Sequence, residues 1–177
     1  MAVTDSVPVP TSPQDDLYAE AASEFGPALE RLTRAYEADP ERRQDLRQEI
    51  HLALWRSFAR FDGRCSTRTW VYRVAHNTAT SMVLRKRSQR PPLVSLEEIE
   101  HLPAPAVDRR EDLERLLELI QRLAPLDRQV ILSYLEGLDA AETGEITGLS
   151  PGNVATRVHR IKKILARQFH EGERHGE

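Results

Sequence analysis

The 177-residue chain has one cysteine, Cys65, which excludes an internal disulfide and a cysteine-rich zinc site and points to a reducing compartment, by default the cytoplasm. No apolar run approaches the roughly 20 residues of a membrane span, and the N-terminus lacks the basic-then-apolar order of a signal peptide. A soluble protein, neither exported nor inserted in a membrane, is the expectation. A strong excess of either charge is lacking too, since 25 Lys and Arg stand against 28 Asp and Glu for a net charge of −3. A nucleic-acid binder of this composition must gather its positive charge into patches or act within a larger assembly. The histidines at 51, 76, 101, 159, 170 and 175 lack the His-x-x-x-His spacing of a metal site, and there is no glycine-rich phosphate loop or nucleophile motif. The expectation is therefore no catalytic site, no cofactor and no metal. Cys65, beside Arg64, reads better as a plain loop residue than as a redox thiol.

What the chain does contain is helical periodicity, with no convincing strand alternation and no internal repeat. Proline divides it. Residues 1–16 carry Pro8, Pro10 and Pro13 with few large apolar groups and read as a disordered tail. A helical block follows over 17–88. Residues 89–107 hold Pro91, Pro92, Pro103 and Pro105, cannot sustain a continuous helix and read as a linker. A second helical block spans 108–170, and 171–177 form a short C-terminal tail. The predicted fold is all-α, two small helical domains joined by a Pro-rich linker.

The stretch from Ser150 to Leu165 is the most informative. Ser150 suits an N-cap and Pro151 the first helical turn. Val154, Val158, Ile161 and Leu165 then form an apolar seam. Arg157, Arg160, Lys162, Lys163 and Arg167 meet no acidic residue along the helix, and Asn153 and Thr156 share the polar side. Upstream, Leu138 to Leu149 supplies a short helix ended at Gly148, which gives helix-turn-helix spacing. An ordinary surface helix also fits this pattern.

Two helices of the first block mix chemistries in a similar way. Between Glu41 and Phe58, the residues Leu46, Ile50, Ala53, Leu54 and Ser57 form a core stripe, leaving Asp45, Gln48, Glu49, Leu52 and Arg56 on the opposite side with Trp55 at its edge. An exposed Leu and indole among polar groups fit a partner surface, and burial against a neighbouring helix fits equally well. A helix starting near Thr67 places Trp70, Val71, Val74, Ala75, Thr78 and Met82 inward. It turns Tyr72, Arg73, His76, Asn77 and Thr80 outward and ends in Arg85-Lys86-Arg87. Aromatic, amide and basic groups together suit single-stranded nucleic acid, and a solvated polar face is the plain alternative.

These residues carry a resemblance that covers nearly the whole chain after the tail. Asp45-Leu46-Arg47-Gln48-Glu49 with Trp55, then Phe61-Asp62-Gly63, then the run from Thr69 to Asn77, resembles region 2 of the sigma-70 family. Leu123 to Ile131 with the helix-turn-helix resembles region 4. Two such domains with only a linker between them are similar to the extracytoplasmic-function group of sigma factors. The resemblance implies that Asp45, Gln48, Glu49, Leu52 and Trp55 dock on core RNA polymerase. It implies that Phe61, Arg64, Trp70, Tyr72, Arg73, His76, Asn77, Thr80, Arg85 and Lys86 serve the melted minus-10 element of promoter DNA. Asn153, Thr156, Arg157, Arg160 and Lys163 would read the minus-35 element as duplex. Glu97, Glu98 and Glu100 of the linker would imitate an RNA backbone in the polymerase channels, and an anti-sigma factor is a further partner the resemblance allows. Thr67, Ser81, Leu84, Thr143, Gly144 and Ala155 depart from the family pattern. Gly144 in a helix interior costs about 1 kcal/mol relative to Ala. A stand-alone helix-turn-helix regulator and a sigma-like, nonenzymatic interaction protein are the alternative functions.

Overall fold

The computed structural model describes residues 12–85 and 109–173, with side chains over 12–85 and 113–167. The expected linker at 89–107 and Lys86 lie outside the described residues. Helix α1 (Pro13–Tyr36) begins inside the segment expected to be tail, because Ser12 and Asp15 form a reciprocal capping box that satisfies two backbone N–H groups. Helix α2 (Pro40–Phe58) opens on the Asp39 cap with Pro40 in its first turn. Helix α3 (Thr67–Arg85) completes a bundle in which Phe25, Leu29 and Leu32 of α1, Leu46, Ile50 and Leu54 of α2, and Val71, Ala75 and Val83 of α3 are buried together.

The second block contains α4 (Arg109–Arg122), α5 (Pro125–Leu135), α6 (Ala140–Thr147) and α7 (Pro151–Glu173). No β-strand occurs among the described residues. Asp139 caps α6 in a second capping box with Glu142, and Gly148 ends it at a φ of 78°, in the left-handed region. Ser150 Oγ accepts the Asn153 N–H at 3.3 Å, so the turn into α7 forms as expected. The α7 seam buries Val154, Ile161, Ile164 and Leu165 with Val158 half-buried, and the helix runs three residues past its expected end at 170. Gly144 is more than a weak helix former. A Cβ there would come 2.6 Å from the Leu149 carbonyl oxygen, so the missing side chain is what lets α6 and the following turn close together.

The face of α3 differs from the sequence expectation. Tyr72 and His76, expected outward, are 2% and 0% exposed, and Thr80 is half-buried, whereas Trp70, Val74, Thr78 and Met82, expected inward, are only partly buried. The reason is that α3 packs on α1 and α2 on one side and on α5 and α6 on the other. Periodicity in one helix registers apolar contacts, and the second neighbour of α3 is met by polar side chains. His76 sits at the centre of this junction, 3.0 Å from the Tyr36 hydroxyl through Nδ1 and 3.4 Å from Ser133 Oγ through Nε2, beside the Tyr72 ring. Arg128 of α5, 1% exposed, crosses the same junction with its guanidinium 5.1 Å from the centre of the Tyr36 ring.

Burial pushes the His76 imidazole down to about 3 from its ordinary 6.5, and pushes the Tyr36 hydroxyl up to about 12. His76 is therefore neutral in the folded chain while the unfolded chain takes up a proton below 6.5, so stability rises with pH across that window and is lost as pH falls. We expect the melting temperature to drop more steeply between about pH 7 and about pH 5 for the natural chain than for His76→Gln, which cannot titrate. Parallel pH profiles would remove His76 from this account. The carboxyls held low by hydrogen bonds, Asp15 and Asp62, act below this range.

Candidate nucleic-acid interface

Three surfaces carry the residues singled out in the sequence, and each is built differently. On α2, Asp45, Gln48 and Glu49 are exposed and Leu52 and Trp55 are each 40% exposed, so no described helix covers this face. Trp55 is held in place from α1. Its indole N–H donates to Asp15 Oδ1 at 2.8 Å, and Gln14 Nε2 donates to the Trp55 carbonyl at 2.7 Å. The indole N–H, followed by the Ser12 hydrogen bonds, keeps the Asp15 carboxyl below its usual range. Sequence reading missed Gln14 and Asp15; the Ser-x-x-Asp spacing at Ser12 was the available signal.

The loop between α2 and α3 carries an aromatic cluster. Phe61 meets Phe58 edge-on with ring centres 6.0 Å apart and leans on Trp70 at 5.4 Å, while the Trp70 indole donates to Ser57 Oγ at 2.9 Å. Phe61 and Trp70 are thus half-buried. Arg64 is exposed and bonded to Asp62 at 2.5 Å, and its backbone N–H, then its side chain, hold that carboxyl low. Gly63, at φ 74°, permits the tight turn. Asn77 and Arg85 are exposed, Arg73 is half-buried, and Tyr72, His76 and Thr80 lie in the domain junction. Among the described residues expected to face single-stranded DNA, only Arg64, Asn77 and Arg85 are well exposed.

On α7, Asn153, Thr156, Arg160 and Lys163 are exposed, with His159 and Lys162 beside them. Lys162 donates to the Tyr134 hydroxyl at 2.9 Å and lies over its ring. Arg157 departs from expectation because its Nη1 donates to Asp127 Oδ1 at 2.5 Å. The acid lies on α5, out of sight of a reading confined to one helix. The Asp127 side chain is 11% exposed, so Arg157 compensates a carboxylate that would otherwise be nearly buried and alone.

The chain matches the family model for sigma-70 region 2 over residues 14–89 and that for sigma-70 region 4 over 113–165. It is 32% identical over 150 residues to the RNA polymerase sigma-E factor of Streptomyces avermitilis, covering 80% of this chain and 79% of that one. It is also 32% identical over 150 residues to the RNA polymerase sigma factor CarQ of Myxococcus xanthus, covering 82% and 83%. The chain belongs to the extracytoplasmic-function group of the sigma-70 family. Among solved structures, the sigma factor RpoE in complex with the anti-sigma factor NepR from Bartonella quintana superposes with a TM-score of 0.63 at 16% identity, covering 86% of this chain and 96% of that one. That likeness shows the shared fold. As a sigma factor, the chain directs promoter recognition and transcription initiation, and the stand-alone regulator is not favoured.

The Arg157 pair yields a direct check. Arg157→Ala is expected to destabilise the second block by about 1–2 kcal/mol, because it strands a poorly solvated carboxylate, and Asp127→Asn in the same chain should recover part of the loss. Thermal melts of the two variants measure it. An Arg157→Ala chain as stable as the natural one would return Arg157 to the DNA-reading set alone.

Proposed function

We propose that α2 docks this sigma factor on core RNA polymerase through Asp45, Gln48, Glu49, Leu52 and Trp55, with Asp15 fixing the Trp55 indole and Gln14 its backbone carbonyl. The observation that carries this reading is the exposure of two large apolar groups on the otherwise polar outer face of α2. Residues 17–88 act as region 2, 89–107 as the linker and 108–170 as region 4. The minus-10 element is met by Phe61, Arg64, Trp70, Arg73, Asn77 and Arg85, and by Lys86 in the undescribed segment. Tyr72, His76 and Thr80 join them only when the domain junction parts.

Asn153, Thr156, Arg160 and Lys163 read the minus-35 duplex, with Arg157 held by Asp127 as a second-rank contact. The near-neutral charge of the chain fits a division of labour in which core polymerase supplies most nonspecific attraction and α7 supplies register and sequence choice. The protein works in the cytoplasm and catalyses no reaction itself. No helix among the described residues is long and apolar enough to cross a membrane. An anti-sigma partner is in keeping with the Bartonella neighbour.

Leu52→Asp tests the docking face. The variant is expected to fold normally, since Leu52 lies outside the core, and to lose about 2 kcal/mol or more of core affinity as expected for a buried interface anchor. Reconstituted transcription from a promoter library then falls in parallel. A folded Leu52→Asp chain with unchanged core affinity would overturn the assignment.

A further inference from the structure

A cavity of about 370 Å³ opens where α1, α3, α4 and α5 meet, and the surfaces described above make no use of it. Its size falls within the roughly 300–1,000 Å³ of small-molecule sites. Leu32 and Ala35 of α1, Leu116, Leu117 and Ile120 of α4, and Leu132 of α5 supply aliphatic walls. Such walls hold water poorly, and side chains that face a gap lose dispersion contacts, so an apolar occupant is favoured. Of the residues assigned to polymerase or promoter DNA, only Tyr72 and His76 line this space.

The lining is graded from the inside outwards. Leu32, Ala35, Ile120, Tyr72 and His76 are buried and close the inner end. The polar atoms there are already engaged, since the His76 ring meets the Tyr36 and Ser133 hydroxyls and the Tyr72 hydroxyl donates to Glu136 at 3.2 Å. Burial keeps the His76 ring neutral and, ahead of the Glu136 charge, raises the Tyr72 hydroxyl above its ordinary range. Neither ring brings a charge inside. Arg31, Arg34, Leu113 and Leu135 are exposed and frame the opening, the two leucines at 60% and 53%. Exposed leucines and arginines around the mouth of an apolar cavity suit a molecule with an apolar body and one polar end.

The charges at the opening decide which polar end fits. Glu136 follows the last turn of α5 with a side chain only 14% exposed, and both its oxygens are taken. Arg31 meets it with two parallel bonds, Nε at 2.7 Å and Nη2 at 2.6 Å, and the Tyr72 hydroxyl adds a third. Arg31 and Glu136 thus neutralise each other. Arg34 is held less closely, because its Nε approaches Glu30 at 3.5 Å and that carboxylate is shared with Arg47 at 3.6 Å. The opening therefore offers one positive charge. We propose that this cavity is a binding site for an unbranched aliphatic carboxylate, whose tail fills the leucine-lined interior and whose head group pairs with Arg34. A cationic head would meet Arg34 as a like charge, and a cavity near the lower end of the usual size range suits one tail better than a fused ring system.

The test uses the full protein without polymerase and decanoate below its micelle concentration, read by calorimetry, with decyltrimethylammonium as the same tail carrying the opposite charge. Decanoate is expected to bind one per protein and to raise the melting temperature, because only the folded state holds the cavity. Decyltrimethylammonium should bind about tenfold more weakly. Arg34→Glu alters an exposed side chain and should fold. Its affinity for decanoate should fall about tenfold, the worth of one charge-assisted hydrogen bond, while its affinity for the cation rises. Leu117→Trp fills the interior and should abolish binding of both amphiphiles. Leu113→Asp sets a negative charge at the mouth and should weaken decanoate alone, which keeps the location testable if the larger side chain impairs folding. Absence of decanoate binding to the natural protein would overturn the site. Equal binding of the two amphiphiles, or an unchanged Arg34→Glu protein, would overturn the carboxylate assignment. Folded Leu117→Trp and Leu113→Asp proteins that bind decanoate as tightly as the natural one would overturn its location.

Discussion

The carboxylate of Glu136 is the constraint from which the arrangement of this sigma factor follows. It stands at the unfavourable end of α5, mostly out of water, and is tolerable only because Arg31 and Tyr72 reach it from the other domain. In the same arrangement α6 and, to a lesser degree, α5 pack on α3, His76 is fully buried, and Arg128 lies over the ring of Tyr36. The junction therefore combines matched polar groups, whose loss is individually costly, with an apolar cluster that runs through both blocks. Such an arrangement specifies one closed geometry without making it permanent.

That geometry gives the two DNA-directed surfaces unequal status. The outer face of α7 stays exposed, so the duplex-reading residues are ready in the closed chain. The α3 face is divided, with Asn77 and Arg85 outside and Tyr72, His76 and Thr80 inside. The polymerase face on α2 is also open, and Asp15 fixes its indole. Docking can therefore precede access to the melted strand, an order that suits a factor whose DNA binding is meant to occur within the holoenzyme.

Much of this was legible in the sequence, for stated reasons. Ser150 and Pro151 placed the start of α7, and the seam of Val154, Ile161 and Leu165 announced a packed recognition helix. The 40% exposure of Leu52 and Trp55 shows that no described helix buries them, the alternative that the helical pattern left open. The misses share one cause. Tyr72, His76 and Arg157 were read against their own helices, and their partners Glu136, Ser133 and Asp127 lie 64, 57 and 30 residues away. Periodicity reports a helix with one neighbour and is blind to a second neighbour met through hydrogen bonds. Gly144 was read as a weak helix former, whereas its lack of a side chain makes room for the Leu149 carbonyl.

The most direct measurement of the central claim is the distance between the two domains before and after polymerase binds. Fluorophores at Ser23→Cys in α1 and Ala166→Cys in α7, both exposed positions, placed in a Cys65→Ser chain, report it by energy transfer. The account predicts a single short distance in the isolated chain that lengthens when core RNA polymerase is added. The same distance in both states, with binding to polymerase verified, would contradict it.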